Sequence, residues 1–148
     1  MLKEISIING PNLNLLGKRE PDIYGNESME QYIQRLSQKS FLSKIKLSYA
    51  QTNHEGALID LLHEKSSSVI GIVLNAGAYT HTSLALADAI RSISIPVVEV
   101  HLSNIFTREK IRHRSLISAA CKGSICGFGM TSYKLAAISL LSQISTLD

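Results

Sequence analysis

The chain has 148 residues, 45% of them hydrophobic and 18% charged, with a net charge of +3. That length fits one domain, spanning 1–148, with a real core. The mild charge supplies no basic run or aromatic-interleaved patch for nucleic acid, though it suits a small anionic ligand, and no apolar stretch approaches the roughly 18 residues that cross a bilayer.

In chain order, Ile5–Ile8 reads as a first strand. Asn9–Gly25 follows as a long ordered loop, rich in Gly, Pro and Asn and poor in core formers, which compact domains usually keep for function. Met29–Ser40 reads as a helix opened by Ser28 with Gln31 three residues on, a capping-box spacing. Ile45–Ala50 alternates as a strand, and Glu55–Lys65 is helical with Leu58, Leu61 and Leu62 on one face. Val69–Leu74 suits a buried parallel strand. Ser83–Ile93 is a helix, Val97–Val100 a fourth strand and Ile111–Ala120 a short helix. Gly123–Phe128 is a fifth strand, and Thr131–Ser145 a closing helix with Leu135, Ile138, Leu141 and Ile144 on one stripe. Strand and helix alternate throughout, which implies an α/β three-layer sandwich with one parallel sheet. Five strands favour a flavodoxin-like order, 2-1-3-4-5.

Lys3-Glu4 and Ser6 interrupt the apolar start, so no secretion leader is expected. Cys121 and Cys126, the only cysteines, match no zinc or redox spacing and are expected to be reduced. A cytoplasmic enzyme or binding domain is the class this permits.

Ligands of open parallel sheets bind outside the carboxyl ends of the strands. The polar residues fall there: Asn9 and Asn12 after the first strand, Asn53-His54-Glu55 after the second, Asn75 to His81 after the third, and Glu99 to Asn104 at the fourth. Glu99 and His101 are two apart on a strand, so their side chains leave one face. A carboxylate beside an imidazole favours its protonated form and suits a general acid, although a polar pair capping a strand has the same spacing. In the loop, Arg19 and Tyr24 stand five apart. A guanidinium near a phenol favours a tyrosinate base, yet a loop tyrosine also packs structurally and an arginine is often a solvated charge. Asn12 and Asn75 suit either turns or hydrogen bonds to a ligand. His81 suits a helix cap, and Asp88 a solvated helix face. Free N–H groups near Leu102 and Ser103, or in the Thr80–Ser83 turn, suit a carboxylate. Arg108 and Arg112, four apart, share a helical face.

Absent motifs narrow the choice. Neither a Gly-x-Gly-x-x-Gly nor a P-loop pattern follows the first strand, and no Gly-x-Ser-x-Gly elbow occurs. Glu99, His101 and His81 form a possible two-histidine, one-carboxylate metal set, but their neighbours are amides and arginines. No lysine stands at a strand end for Schiff-base chemistry. A binding or sensing module would use the same pocket, but it needs neither base nor acid.

Gly10–Gly25, Asn53–Gly56, Asn75–Ser83, Val98–Asn104 and Gly127–Gly129 together resemble the type II 3-dehydroquinate dehydratases over essentially the whole chain. The resemblance implies a flavodoxin-like fold and dehydration of 3-dehydroquinate to 3-dehydroshikimate in the shikimate pathway, without metal or cofactor. By matching positions it implies Tyr24 as proton acceptor, His101 as proton donor, Arg19 as a charge stabiliser, Asn12 beside the enolate and Glu99 orienting His101. It implies substrate contacts from Asn75, His81, Asp88, Leu102, Ser103 and Arg112. It further implies a homododecamer of four trimers, with Asp88 reaching a neighbouring subunit's site. Gly17–Gly25 is expected to act as a lid carrying Arg19 and Tyr24.

Overall fold

The computed structural model describes residues 2–18 and 21–145, excepting the side chains at 23, 24 and 145. Five parallel strands form one sheet: β1 (Lys3–Asn9), β2 (Ile45–Gln51), β3 (Gly71–Asn75), β4 (Val97–His101) and β5 (Gly123–Cys126). Their spatial order is β2-β1-β3-β4-β5, the flavodoxin-like order expected. Among the described residues five α-helices accompany them: α1 (Pro21–Tyr24), α2 (Met29–Ser37), α3 (Glu55–Lys65), α4 (Leu84–Ser92) and α5 (Thr131–Ser145).

Each buried strand feeds both layers because successive side chains alternate across the sheet. Ile5, Ile7, Val73, Val98 and Val100 pack with Met29, Tyr32 and Leu36 of α2 and Tyr133, Ala136 and Leu140 of α5. Ile8, Ile72, Leu74 and Val97 pack on the opposite side with Leu58 and Leu62 of α3 and Leu86, Ala87 and Ile90 of α4. The strand order reverses direction between β1 and β3, and a crevice opens there at the carboxyl edge.

The capping box forms as spaced: Ser28 Oγ accepts from the Gln31 N–H, and the Ser28 N–H donates to Gln31 Oε1. The helix it opens stops at Ser37, short of the expected Ser40. Lys39 turns extended, and a 3₁₀ turn over Ser40–Leu42 drives Leu42 into the core.

Two expectations change more substantially. Residues 111–120 form no continuous helix but two 3₁₀ turns, Lys110–His113 and Ser118–Ala120. Arg114 is extended between them, and Leu116 donates its N–H to the Thr80 carbonyl. Ser115 Oγ accepts the N–H groups of Ile117 and Ser118, a local competitor that draws the backbone out of a helix. On α5 the inward face is Ser132, Tyr133, Ala136, Ala137 and Leu140, whereas Leu135 and Ile138 are exposed. Tyr133 and Leu140 are thus the large inward residues among small ones, and Leu140 packs on Gly71, where a Cβ would meet its Cδ2 at 2.8 Å.

Candidate active site

A cleft of about 240 Å³ occupies the crevice, lined from the β1 exit by Pro11 to Leu13, Leu15 and Leu16. Asn75, Gly77, Ala78 and His81 line it after β3, and His101, Leu102, Ser103, Ile105, Arg108 and Arg112 from β4 onwards. Of the residues singled out from sequence, Asn12, Asn75, His81, His101, Leu102, Ser103 and Arg112 therefore meet in one place. Arg19 lies outside the described residues, as does the Tyr24 side chain, and with them the part of the expected lid that matters. Asp88 is exposed on α4, where it pairs with Arg91 at 3.7 Å, and it does not line this chain's cleft.

The floor is made by backbone contact between the two strand exits. Gly10 donates its N–H to the Asn75 carbonyl at 2.7 Å. A Cβ there would stand 2.6 Å from the Ala76 carbonyl oxygen, so only glycine fits. Asn12 adopts a left-handed φ of 68°, which asparagine tolerates better than most residues. Its N–H donates to Asn53 Oδ1 at 3.1 Å, and Asn53 Oδ1 also accepts from Gln51 Nε2. The polar cluster after β2 thus supports the first loop, with no residue of its own lining the cleft. That loop is less core-poor than its composition implied: Leu16 is buried and Leu13 packs against the core.

Asn75 is nearly buried and held at both ends of its amide. Its Nδ2 donates to Tyr133 Oη at 3.0 Å, and its Oδ1 accepts the Gly77 N–H at 3.2 Å. The Tyr133 hydroxyl donates in turn to Asn9 Oδ1 at 2.8 Å. Burial pushes the Tyr133 phenol well above its ordinary pKa, so it remains a neutral hydroxyl that can donate and accept at once. Tyr133 was not foreseen as a site residue. The available signal was its place in the first turn of the closing helix, which begins at the carboxyl edge of the sheet.

Glu99 and His101 do leave β4 on one face, and His101 Nε2 lies 2.5 Å from Glu99 Oε2. Glu99 is fully buried. Burial pushes its carboxyl upwards, but hydrogen bonds from His101, Ser118 and Ser115 and the His101 charge outweigh this and hold it below the ordinary carboxylate value. Ser118 Oγ donates to Glu99 Oε1, and Ser115 Oγ to Oε2 at 3.0 Å. Neither serine was foreseen, since the expected helix over 111–120 would have placed them among ordinary helical polar residues. Because Nε2–H is committed to Glu99, Nδ1 is the nitrogen of this cleft-lining ring that remains for a ligand.

His81 stacks on that ring, with centroids 6.1 Å apart and planes 24° from parallel. Its Nδ1 lies 2.8 Å from the Arg114 carbonyl, which fixes Nδ1 as a donor and leaves Nε2 as the acceptor of the neutral ring. Helix capping is left to Ser83, whose Oγ accepts the Leu86 N–H at the start of α4. Arg108 and Arg112 stand on separate turns rather than one helical face, yet both line the cleft. Glu109 lies between them, accepting from Arg112 Nε at 2.7 Å and 3.9 Å from Arg108 Nε. Among the described residues no three His, Cys, Asp or Glu side chains are grouped to hold a metal ion. No helix among them is long and apolar enough to cross a membrane.

A doubly wound sheet with an imidazole–carboxylate pair at the edge of its switch-point crevice puts the chain in the class of flavodoxin-like α/β enzymes. The family model for dehydroquinase class II matches residues 3–141, and the chain belongs to that family. It is 52% identical over 136 residues to the 3-dehydroquinate dehydratase of Rhizobium johnstonii, covering 92% of this chain and 94% of that one. The crystal structure of type II dehydroquinase from Butyrivibrio crossotus is similar with a TM-score of 0.87 and 44% identity, over 94% of this chain and 97% of that one. That of type II dehydroquinase from Propionibacterium acnes gives a TM-score of 0.86 at 37% identity, over 99% and 98%.

Proposed function

We propose that the chain dehydrates 3-dehydroquinate to 3-dehydroshikimate, as a step of the shikimate pathway, through an enolate by anti elimination. The observation that carries the reading is the Glu99–His101 pair set beside the cleft of a chain of this family. The substrate is a β-hydroxy ketone bearing a carboxylate, so the proton beside the ketone is acidic only if the resulting negative charge is held.

In this reading Tyr24 is the base, and the Arg19 guanidinium lowers its pKa from the reference near 10. The tyrosinate takes the proton beside the ketone, and the carbon–hydrogen electron pair moves to the ketone oxygen as an enolate. Asn12 supports that oxygen, directly or through water. The enolate then collapses and the carbon–oxygen bond to the β-hydroxyl breaks. His101 gives its proton to the departing oxygen, which leaves as water rather than as hydroxide. The product is a conjugated enone, and the resting state returns when Tyr24 gives up the proton it gained and His101 takes one up from solvent.

Asn75, His81, Leu102 and Ser103 hold the substrate's hydroxyls and carboxylate in this scheme, with Arg112 supplying positive charge. Their common place on the cleft wall supports the assignment. Asp88 would act from a neighbouring subunit of a homododecamer arranged as four trimers, in the cytoplasm, without a metal or organic cofactor. The activity is tested by adding 3-dehydroquinate and following the ultraviolet absorbance of the enone. No absorbance rise from pure, folded protein would sink the reading. Light scattering tests the assembly, for which a particle mass of twelve chains is expected.

A further inference from the structure

We propose that Ser115 and Ser118 are positioning residues for the proton donor: their hydroxyls clamp the Glu99 carboxylate so that it keeps the His101 Nε2–H and leaves Nδ1 to hand over the proton. The proposal rests on the reading of His101 as the acid.

A fully buried carboxylate needs donors around it, since an ion stripped of water is costly unless paired and hydrogen-bonded. Glu99 has three: His101 Nε2–H, Ser118 O–H and Ser115 O–H. The direction of the Ser115 bond is set by the backbone. A hydroxyl carries one proton and two lone pairs. The Ser115 oxygen already accepts the Ser118 N–H at 3.0 Å and the Ile117 N–H at 3.3 Å, so its proton is left to point at Glu99. So placed, Ser115 cannot turn into an acceptor for a protonated Glu99, and the site selects the ionised form. The His101 proton that travels is therefore the one on Nδ1, while Nε2–H stays on Glu99 throughout. Loss of that proton to a leaving hydroxyl yields water and a neutral imidazole, and solvent restores it.

Other titratable groups face His101 besides Glu99. His81 stacks on it, Cys126 is its register partner on β5, and Arg108 and Arg112 share its cleft. The Cys121 thiol lies close enough to feel Glu99, and burial, with that charge, pushes it up to about 12, so it adds no thiolate. Arg19 and the Tyr24 side chain lie outside the described residues. Glu109 bonds Arg112 on the cleft wall, whereas Glu99 is the carboxylate bonded to the His101 ring itself.

The test compares the wild-type enzyme with S115A/S118A and S118A, using Ser118→Thr as the conservative rescue. A ¹⁵N-histidine NMR titration reads His101 without turnover, and the pH profile of kcat reads it during turnover. In S115A/S118A the His101 titration and the alkaline limb of kcat should both move to lower pH, by about one unit. KM should stay within about twofold, because no binding group is removed. Ser118→Thr should restore both midpoints. An unmoved His101 titration in folded S115A/S118A overturns the clamp, as does a fall in kcat that is uniform with pH and not restored by threonine. A moved titration with an unmoved rate profile keeps the clamp and overturns His101 as the acid. If S115A/S118A does not fold, S118A alone carries the same comparison.

Discussion

His101 and Glu99 face each other across 2.5 Å from alternate positions of β4, at the buried carboxyl edge of the sheet. The strand's pleat puts both on one side, and the serines beyond Glu99 keep its carboxylate turned towards the ring. Removing the carboxylate while keeping its shape should unlock the imidazole. Glu99→Gln is expected to lower kcat by roughly 10²- to 10⁴-fold with little change in KM, since the wrong tautomer becomes accessible. Steady-state kinetics check this, and a kcat within a factor of about three removes Glu99 from the mechanism.

The same substitution has a stability signature. The folded-state pKa of Glu99 is depressed below its ordinary 4.5, because the hydrogen bonds and the His101 charge outweigh burial. A depressed carboxylate contributes stability that is fully present above the unfolded value and is lost as pH falls through the folded one. The advantage of wild type over Glu99→Gln in urea unfolding should therefore be full above about pH 4.5 and shrink as the pH falls below it through the depressed folded value. A difference that stays constant over that range contradicts the assignment.

Tyr133→Phe removes one hydroxyl from between two buried amides and leaves Asn75 Nδ2 and Asn9 Oδ1 without it. An orphaned buried polar group costs about 1–3 kcal/mol, so the urea midpoint should fall with an unchanged m value. With the Asn75 amide no longer pinned, KM for 3-dehydroquinate should rise more than kcat falls. Unaltered stability and KM would show that the hydroxyl only fills space.

Gly10→Ala places a methyl 2.6 Å from the Ala76 carbonyl oxygen and 2.7 Å from its carbon. Both are backbone atoms, so the strand exits must separate rather than a side chain rotate. A penalty of about 1–3 kcal/mol should lower the melting temperature by several degrees and reduce activity with it. A melt within about 1 °C of wild type would refute the contact.

Tyr24→Phe tests the base. Turnover should fall by at least about 10³-fold while ligand affinity, read by calorimetry, stays largely intact. Near-normal turnover takes the role away from Tyr24.

Much of the framework was legible in the chain itself. Short apolar runs, alternation and the strand–helix rhythm located the five strands, the Ser28–Gln31 spacing located a helix start, and the two-residue spacing of Glu99 and His101 brought them onto one face. Local pattern misled where packing chose otherwise. On α5 the large apolar residues Leu135 and Ile138 read as the inner stripe, but the helix turns Tyr133, Ala136, Ala137 and Leu140 to the sheet instead. The serine clamp joins residues 16 and 19 apart, and Tyr133 reaches Asn9 across 124 residues. Such pairings depend on the closed tertiary structure, and no periodicity announces them.

The departure from helix between Arg108 and Ser118 has a consequence for how this enzyme can diverge. One irregular strap carries the two guanidinium groups of the cleft wall and then, within a few residues, the two hydroxyls that steady Glu99. A regular helix would let one face drift while the other is kept. This strap has no spare face, so an insertion or register shift inside it disturbs the arginines of the cleft wall and the bonds to Glu99 together. Variation that spares activity should therefore collect outside the strap, on surfaces such as the outward side of α5.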